Sequence, residues 1–314
     1  MTSDSSKAGL LSRRSREVLS SDGTRLFVEE YGLGDDAPLL VFSHGWACQG
    51  RFWRPQIEHF ATTHRVVVYD QRGHGWSDRG RAPFSSSVLG DDLEAVLRAV
   101  VTSNRKALVT GHSMGGMSIM GWAAEHPESV PVLSRGAVLA STGPSQLVSK
   151  STLIGSPRRF RASLERAFAA GLATAGPEML DTRFNRRLVK YGTMGPHAPA
   201  DVVAECSDIV LRCPPAVRGM WGRVLATIDV SKGIDSLTVP TTVIVGSADK
   251  LTPAVHSIDL ADRLQQRRRL HEFVALPQIG HMINMEAPNY FNEAAARLDA
   301  ATEAMAFEPS TGHT

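Results

Sequence analysis

The sequence predicts an α/β fold: a mostly parallel central sheet flanked by helices, with an all-helical cap inserted into it. Three observations carry that reading. Short continuous apolar runs, Leu39-Leu40-Val41-Phe42 and Val66-Val67-Val68-Tyr69 among them, suit strands buried on both faces of a parallel sheet. These runs alternate with segments of helical period. The alternation stops at Ser141 and resumes at Thr241, leaving ~90 residues without a strand pattern, too many for a plain loop.

Taken in order, residues 1–16 are polar and read as a disordered tail. Ser12-Arg13-Arg14-Ser15-Arg16 carries the arginine pair of an export signal, but Ser20-Ser21-Asp22 follows where an apolar stretch is required, so a cytoplasmic protein is expected. Residues 17–20 and 25–31 flank Asp22-Gly23 and predict a hairpin. Strands over 39–43 and 66–69 enclose a short helix over 52–60. Residues 91–101 place Leu93, Val96, Leu97 and Val100 on one helical face. A strand over 107–110, a helix over 114–126 and a strand over 136–140 continue the rhythm. Helical segments are expected at 163–170, 178–191, 200–211 and 216–228. The sheet then resumes with a strand over 241–245, a helix over 254–265, a strand over 271–276 and a last helix from 287 to about 305. The core is thus assigned to 17–141 and 236–306, and the cap to 142–235.

Composition narrows the function. The 314 residues are 42% hydrophobic and 21% charged, which excludes whole-chain disorder. A net charge of +2 gives no polyanion signal, so no nucleic-acid partner is expected. No apolar run is long enough to span a bilayer. Cys48, Cys206 and Cys213 are too few and too scattered for a disulfide framework, and no Cys-x-x-Cys pair exists to hold zinc.

The chemistry concentrates at Gly111-His112-Ser113-Met114-Gly115, between a predicted strand and a predicted helix. Gly-x-Ser-x-Gly in that setting is a nucleophile elbow. A sharp turn exposes the serine hydroxyl near the positive end of the following helix, and the glycines let strand and helix approach. At this point the chain resembles the α/β-hydrolase superfamily, in particular its capped serine esterases and lipases. The resemblance spans roughly residues 20–305 and rests on four motifs in the family's order. These are His44-Gly45-Trp46, the Asp70–Ser77 segment, the elbow, and Gly246-Ser247-Ala248-Asp249 followed by Gly280-His281.

Serine needs a base to take its proton, and the base needs an acid to orient it. His281 lies in a loop after the last strand, and Asp249 follows a strand at its carboxyl end, where sheets of this class place their sites. Asp229 and Asp235 compete for the acid's role but precede that strand. His44, His74 and His112 read as structural. The oxyanion donors are the N–H of Met114 and, from the His-Gly-x resemblance, the N–H of Trp46. Asp70 and Arg72 read as loop braces, and nothing in sequence makes Cys48 a better nucleophile than Ser113.

The resemblance implies a serine hydrolase that cleaves carboxylic esters through an acyl-enzyme, with no metal and no organic cofactor. Haloalkane dehalogenases and epoxide hydrolases share the fold but use a carboxylate nucleophile, which the serine disfavours. C–C bond hydrolysis, thioester hydrolysis, perhydrolysis and a ligand-binding receptor with little turnover stay open as alternatives. Between Gln146 and Lys190, nine basic residues (Lys150, Arg158, Arg159, Arg161, Arg166, Arg183, Arg186, Arg187 and Lys190) face three acidic ones. They are read as solvated helix faces, the sharper alternative being a rim for anionic esters or an acyl-lipid surface. Phe160, Leu164, Phe168, Met179, Phe184, Met194, Met220 and Trp221 are candidates for an acyl pocket or for the cap's own core.

Overall fold

Eight strands form one mixed sheet in a computed structural model that describes residues 13–152 and 180–307. The strands are β1 (Arg13–Leu19), β2 (Arg25–Gly32), β3 (Leu39–Ser43), β4 (Arg65–Tyr69), β5 (Ala107–His112), β6 (Ser134–Ala140), β7 (Thr241–Gly246) and β8 (Leu270–Leu276). Their spatial order is β1-β2-β4-β3-β5-β6-β7-β8, parallel from β4 onward, with β1 and β2 joined antiparallel at one edge.

The apolar runs occupy the middle of this sheet. β3, β4, β5 and β7 are buried along their whole length, because helices cover both faces. Side chains alternate between two cores. Val41, Val67 and Val109 face one, and Leu40, Phe42, Val66, Val68 and Leu108 face the other.

The helices, in chain order, are α1 (Arg54–Phe60), α2 (Ser86–Val100), α3 (Met114–Glu125), α4 (Val130–Leu133), α5 (Leu147–Lys150), α6 (Arg183–Thr193), α7 (Ala200–Leu211), α8 (Pro215–Thr227), α9 (Ser231–Ser236), α10 (Ala254–Gln266), α11 (Ile283–Glu286) and α12 (Pro288–Phe307). Leu93, Val96 and Leu97 of α2, Met117 and Trp122 of α3 and Leu260 of α10 build the first core. Ile57 and Phe60 of α1 and Phe291 and Leu298 of α12 build the second. Helices α5 to α8 are the described part of the helical cap inserted between β6 and β7. Helix α9, expected within the cap, packs on α3.

Several boundaries differ from the sequence reading. β1 begins at Arg13, inside the expected tail, because its polar residues pair as an edge strand and Arg13 and Arg16 ion-pair with Glu29 and Glu30. Helix α2 begins five residues before the expected 91, where the Ser85 hydroxyl accepts the Val88 N–H as N-cap. The expected helix over 52–60 opens with a 3-10 turn over Gly50–Trp53. Helix α6 starts at Arg183 rather than 178. The expected helix over 163–170 lies outside the described residues, as do Phe160, Leu164, Phe168 and Met179.

Helix α10 contains an unusual histidine. His256, in the first turn of α10, is fully buried, and neither ring nitrogen has a hydrogen-bond partner among the described residues. Burial lowers its pKa from 6.5 to about 4. Below pH 6.5 the unfolded chain takes up a proton that the folded chain refuses, so stability falls as pH drops from 6.5 toward 4. At pH 5 this one group costs about 2 kcal/mol. His256→Leu is therefore expected to reduce the acid-induced loss of unfolding free energy between pH 7 and pH 5 by about that amount. Equal losses in variant and wild type, measured by urea unfolding at both pH values, would contradict it.

Candidate active site

Ser113 sits at the junction of β5 and α3 with φ 53° and ψ −115°. For a residue bearing a Cβ this is strained, by about 1–3 kcal/mol, so its surroundings must hold it there. Its N–H donates to the Ala140 carbonyl at 2.9 Å, and its carbonyl accepts the Thr142 hydroxyl at 2.7 Å. The turn also requires a glycine at 115, since a Cβ there would stand 2.0 Å from the Ser43 carbonyl oxygen. Strand β3 and helix α3 can touch only because that side chain is missing.

His281 and Asp249 come together from the loops after β8 and β7. His281 Nδ1 donates to Asp249 Oδ2 at 2.8 Å, and both side chains are buried. Asp249 is fixed in turn by three donors: the Leu251 and Thr252 N–H groups on Oδ1 and the Thr252 hydroxyl on Oδ2, each at 2.9 Å. The carboxylate can therefore rotate little, and the imidazole is held with Nδ1 protonated and Nε2 free to accept a proton.

The cap takes part in holding the histidine. The Thr193 carbonyl at the end of α6 accepts the N–H groups of both His281 and Met282, at 2.9 and 3.1 Å. At Gly280 a Cβ would stand 2.3 Å from the Gly195 nitrogen, so glycine permits this close contact of cap and loop. On the other side His112 Nε2 donates to the His281 carbonyl at 2.8 Å. Burial pushes the His112 pKa well below 6.5, which keeps that ring neutral.

Ser113, His281, Trp46 and Cys48 line one cavity of about 440 Å³, roofed by Val189, Tyr191 and Thr193 of the cap. Met114 is the first residue of α3, where a backbone N–H has no partner within its helix. The loop carrying Trp46 is pinned from several directions. His44 Nδ1 donates to the Gly45 carbonyl at 2.8 Å, His74 Nε2 accepts the Ala47 N–H at 3.2 Å, and Trp46 Nε1 donates to the Arg218 carbonyl at 3.0 Å. Burial holds His44 well below its ordinary pKa and His74 at about 4, so both act as neutral struts.

The remaining sequence candidates fall elsewhere. Asp235 pairs with Arg263 and Arg267, and Asp229 accepts the Ser231 N–H beside α9. Asp70 accepts the N–H groups of Gly50 and Trp76, and burial raises its carboxyl to about 6. Arg72 is buried between Asp22 and Asp92. Burial also pushes the Cys48 thiol well above its usual range, which disfavours the reactive thiolate. Of the basic stretch, Arg158, Arg159, Arg161 and Arg166 lie outside the described residues. Arg186 pairs with Asp181, while Arg183 and Arg187 are exposed. Among the described residues no group of His, Cys, Asp and Glu side chains is arranged to hold a metal, and no helix is long and apolar enough to cross a membrane.

Thr252, Thr193 and Arg218 were not singled out in the sequence. Thr252 has a local signal, its place three residues after Asp249 and just before Pro253. Thr193 and Arg218 have none, because their contacts span the insertion.

Comparison with known proteins shows the fold family. The family model for the alpha/beta hydrolase fold matches residues 38–288. The chain is 24% identical to 3-oxoadipate enol-lactonase 2 of Acinetobacter baylyi, over 89% of this chain and 94% of that one. It is 26% identical to a pimeloyl-[acyl-carrier protein] methyl ester esterase of Aliivibrio salmonicida, over 75% of this chain and 83% of that one. Among solved structures, a thermophilic esterase from Thermogutta terrifontis superposes with a TM-score of 0.70 at 21% identity, covering 92% of this chain and 99% of that one.

Proposed function

The chain belongs to the alpha/beta hydrolase fold family, and on that premise we propose that it is a serine hydrolase that cleaves carboxylic esters, with Ser113, His281 and Asp249 as its catalytic triad. The observation that carries the reading is the buried 2.8 Å bond between Asp249 and His281, beside a serine held at positive φ on the wall of the same cavity. The esterase and the enol-lactonase among the similar proteins both act on ester bonds by name, which supports the same reading.

In the proposed reaction the Ser113 hydroxyl oxygen bonds to the ester carbonyl carbon as His281 Nε2 takes its proton. The carbonyl electrons move onto oxygen, where the N–H groups of Met114 and Trp46 receive the charge. The C–O bond to the alcohol then breaks, and His281 returns the proton to the departing alkoxide. Water repeats the sequence on the acyl-Ser113, with His281 again as base, releasing the acid and restoring the hydroxyl. Asp249 holds the imidazole and stabilises the imidazolium that forms twice in each cycle.

The substrate is a small-molecule ester. The cavity wall is formed mainly by apolar side chains such as Leu147, Val148, Leu188, Val210 and Leu225, which suits an acyl or alcohol chain of modest size. Turnover of p-nitrophenyl esters from acetate to decanoate tests this. Release of p-nitrophenol should rise to a maximum at short or medium acyl length and fall beyond it. Absence of turnover at every length would sink the esterase reading and favour a binding protein or a hydrolase of C–C bonds.

A further inference from the structure

One charged side chain in the cavity has no role in the reaction above. Arg218, in the second turn of α8, lines the cavity together with Ser113 and His281. It is the sole Lys, Arg, Asp or Glu among the described lining residues. The rest of the wall is formed mainly by apolar side chains. Its backbone carbonyl accepts the Trp46 Nε1–H, so this turn of α8 sits directly over the loop that carries the proposed oxyanion donor.

The guanidinium is underused where it stands. Its hydrogen bond to a described residue is a long one, 3.4 Å from Nη1 to the Cys213 carbonyl, near the outer limit for such bonds. No described carboxylate pairs with it, in contrast to Arg72, Arg65 and Arg135, each held by two acidic residues. Arginine has five N–H donors. Arg218 is partly buried and lines a mainly apolar wall, and a guanidinium that loses hydration there without gaining a counter-ion is unfavourable unless an anion arrives with the ligand. The matching anion is a carboxylate, whose two oxygens fit the guanidinium fork.

We propose that the cavity selects esters bearing a carboxylate remote from the scissile bond, half-esters of dicarboxylic acids or their equivalents, with Arg218 as the anchor for that carboxylate. The proposal rests on the reading of the cavity as an ester-hydrolysing site and names its substrate class. A charge-assisted hydrogen bond of this kind changes affinity about 10- to 100-fold.

The test compares monoethyl succinate, glutarate and adipate with ethyl esters of monocarboxylic acids of equal chain length, in wild type, Arg218→Gln and Arg218→Lys. In wild type kcat/KM should favour the half-ester at one or more of these lengths. Arg218→Gln should lower the ratio of half-ester to neutral ester by about 10- to 100-fold, mainly through KM, and Arg218→Lys should recover part of it. Calorimetric binding of free glutarate and adipate to wild type and Arg218→Gln supplies a readout independent of turnover. If no ester is hydrolysed but the diacid binds wild type and is lost in the glutamine variant, the esterase reading fails and the Arg218 anchor stands. A half-ester preference absent at every length, or a ratio and diacid affinity unchanged in Arg218→Gln, overturns the proposal.

Discussion

Ser113→Ala is expected to reduce ester hydrolysis by about 10⁴- to 10⁶-fold and to abolish covalent labelling by a fluorophosphonate. Alanine keeps the Cβ and the backbone, so the bonds that hold the turn, from the Ser113 N–H to Ala140 and from Thr142 to the Ser113 carbonyl, both survive. The fold should therefore be retained while the attacking oxygen is lost. Circular dichroism of the variant should match wild type. Labelling that persists at another residue would show that the nucleophile lies elsewhere. Cys48 lines the same cavity, but burial pushes its thiol well above the usual range, which disfavours the thiolate.

His281→Ala should cost a similar factor, about 10³-fold or more, because without it nothing at the site removes the serine proton. The backbone contacts of residue 281 with Thr193 and His112 do not use the imidazole, so the loop should hold its place. Asp249→Asn is expected to cost about 10⁴-fold for a different reason. The amide oxygen can keep the N–H groups of Leu251 and Thr252, which turns the NH₂ toward His281 Nδ1. The ring must then accept at Nδ1 and carry its proton on Nε2, the wrong tautomer for a base. The double variant Ser113→Ala with His281→Ala should be little worse than either single variant, since the two act as a unit. Independent, multiplying losses would contradict the shared role.

Local patterns made part of this legible in the sequence. The elbow could be read because strand, glycines, serine and helix are contiguous, and β3, β4, β5 and β7 were marked by the continuous apolar stretch that burial on both faces leaves in each. Asp249 and His281 could be found through chain order, although only the folded loops bring their side chains to 2.8 Å. Only the first residues of β1, 13–16, were hidden, and for the opposite reason. An edge strand with exposed Arg13 and Arg14 carries no apolar period, and its pairing depends on backbone bonds and on Glu29 and Glu30 in β2. Thr193, which holds the histidine loop, and Arg218, which lines the cavity, lie in the insertion and meet the core only in three dimensions. The burial of His256 without partners among the described residues has no local sequence signal and follows from how α10 packs on β7 and β8.

The central claim is that an ester transfers its acyl group to Ser113. Mixing the wild-type enzyme with p-nitrophenyl butyrate, quenching in acid within milliseconds and mapping the acylated peptide by mass spectrometry addresses it directly. A butyryl group on the peptide containing Ser113, formed at least as fast as steady-state turnover and absent from Ser113→Ala, is the predicted result. Steady turnover with no acylated peptide under any quench, or with the acyl group on another residue, would contradict it.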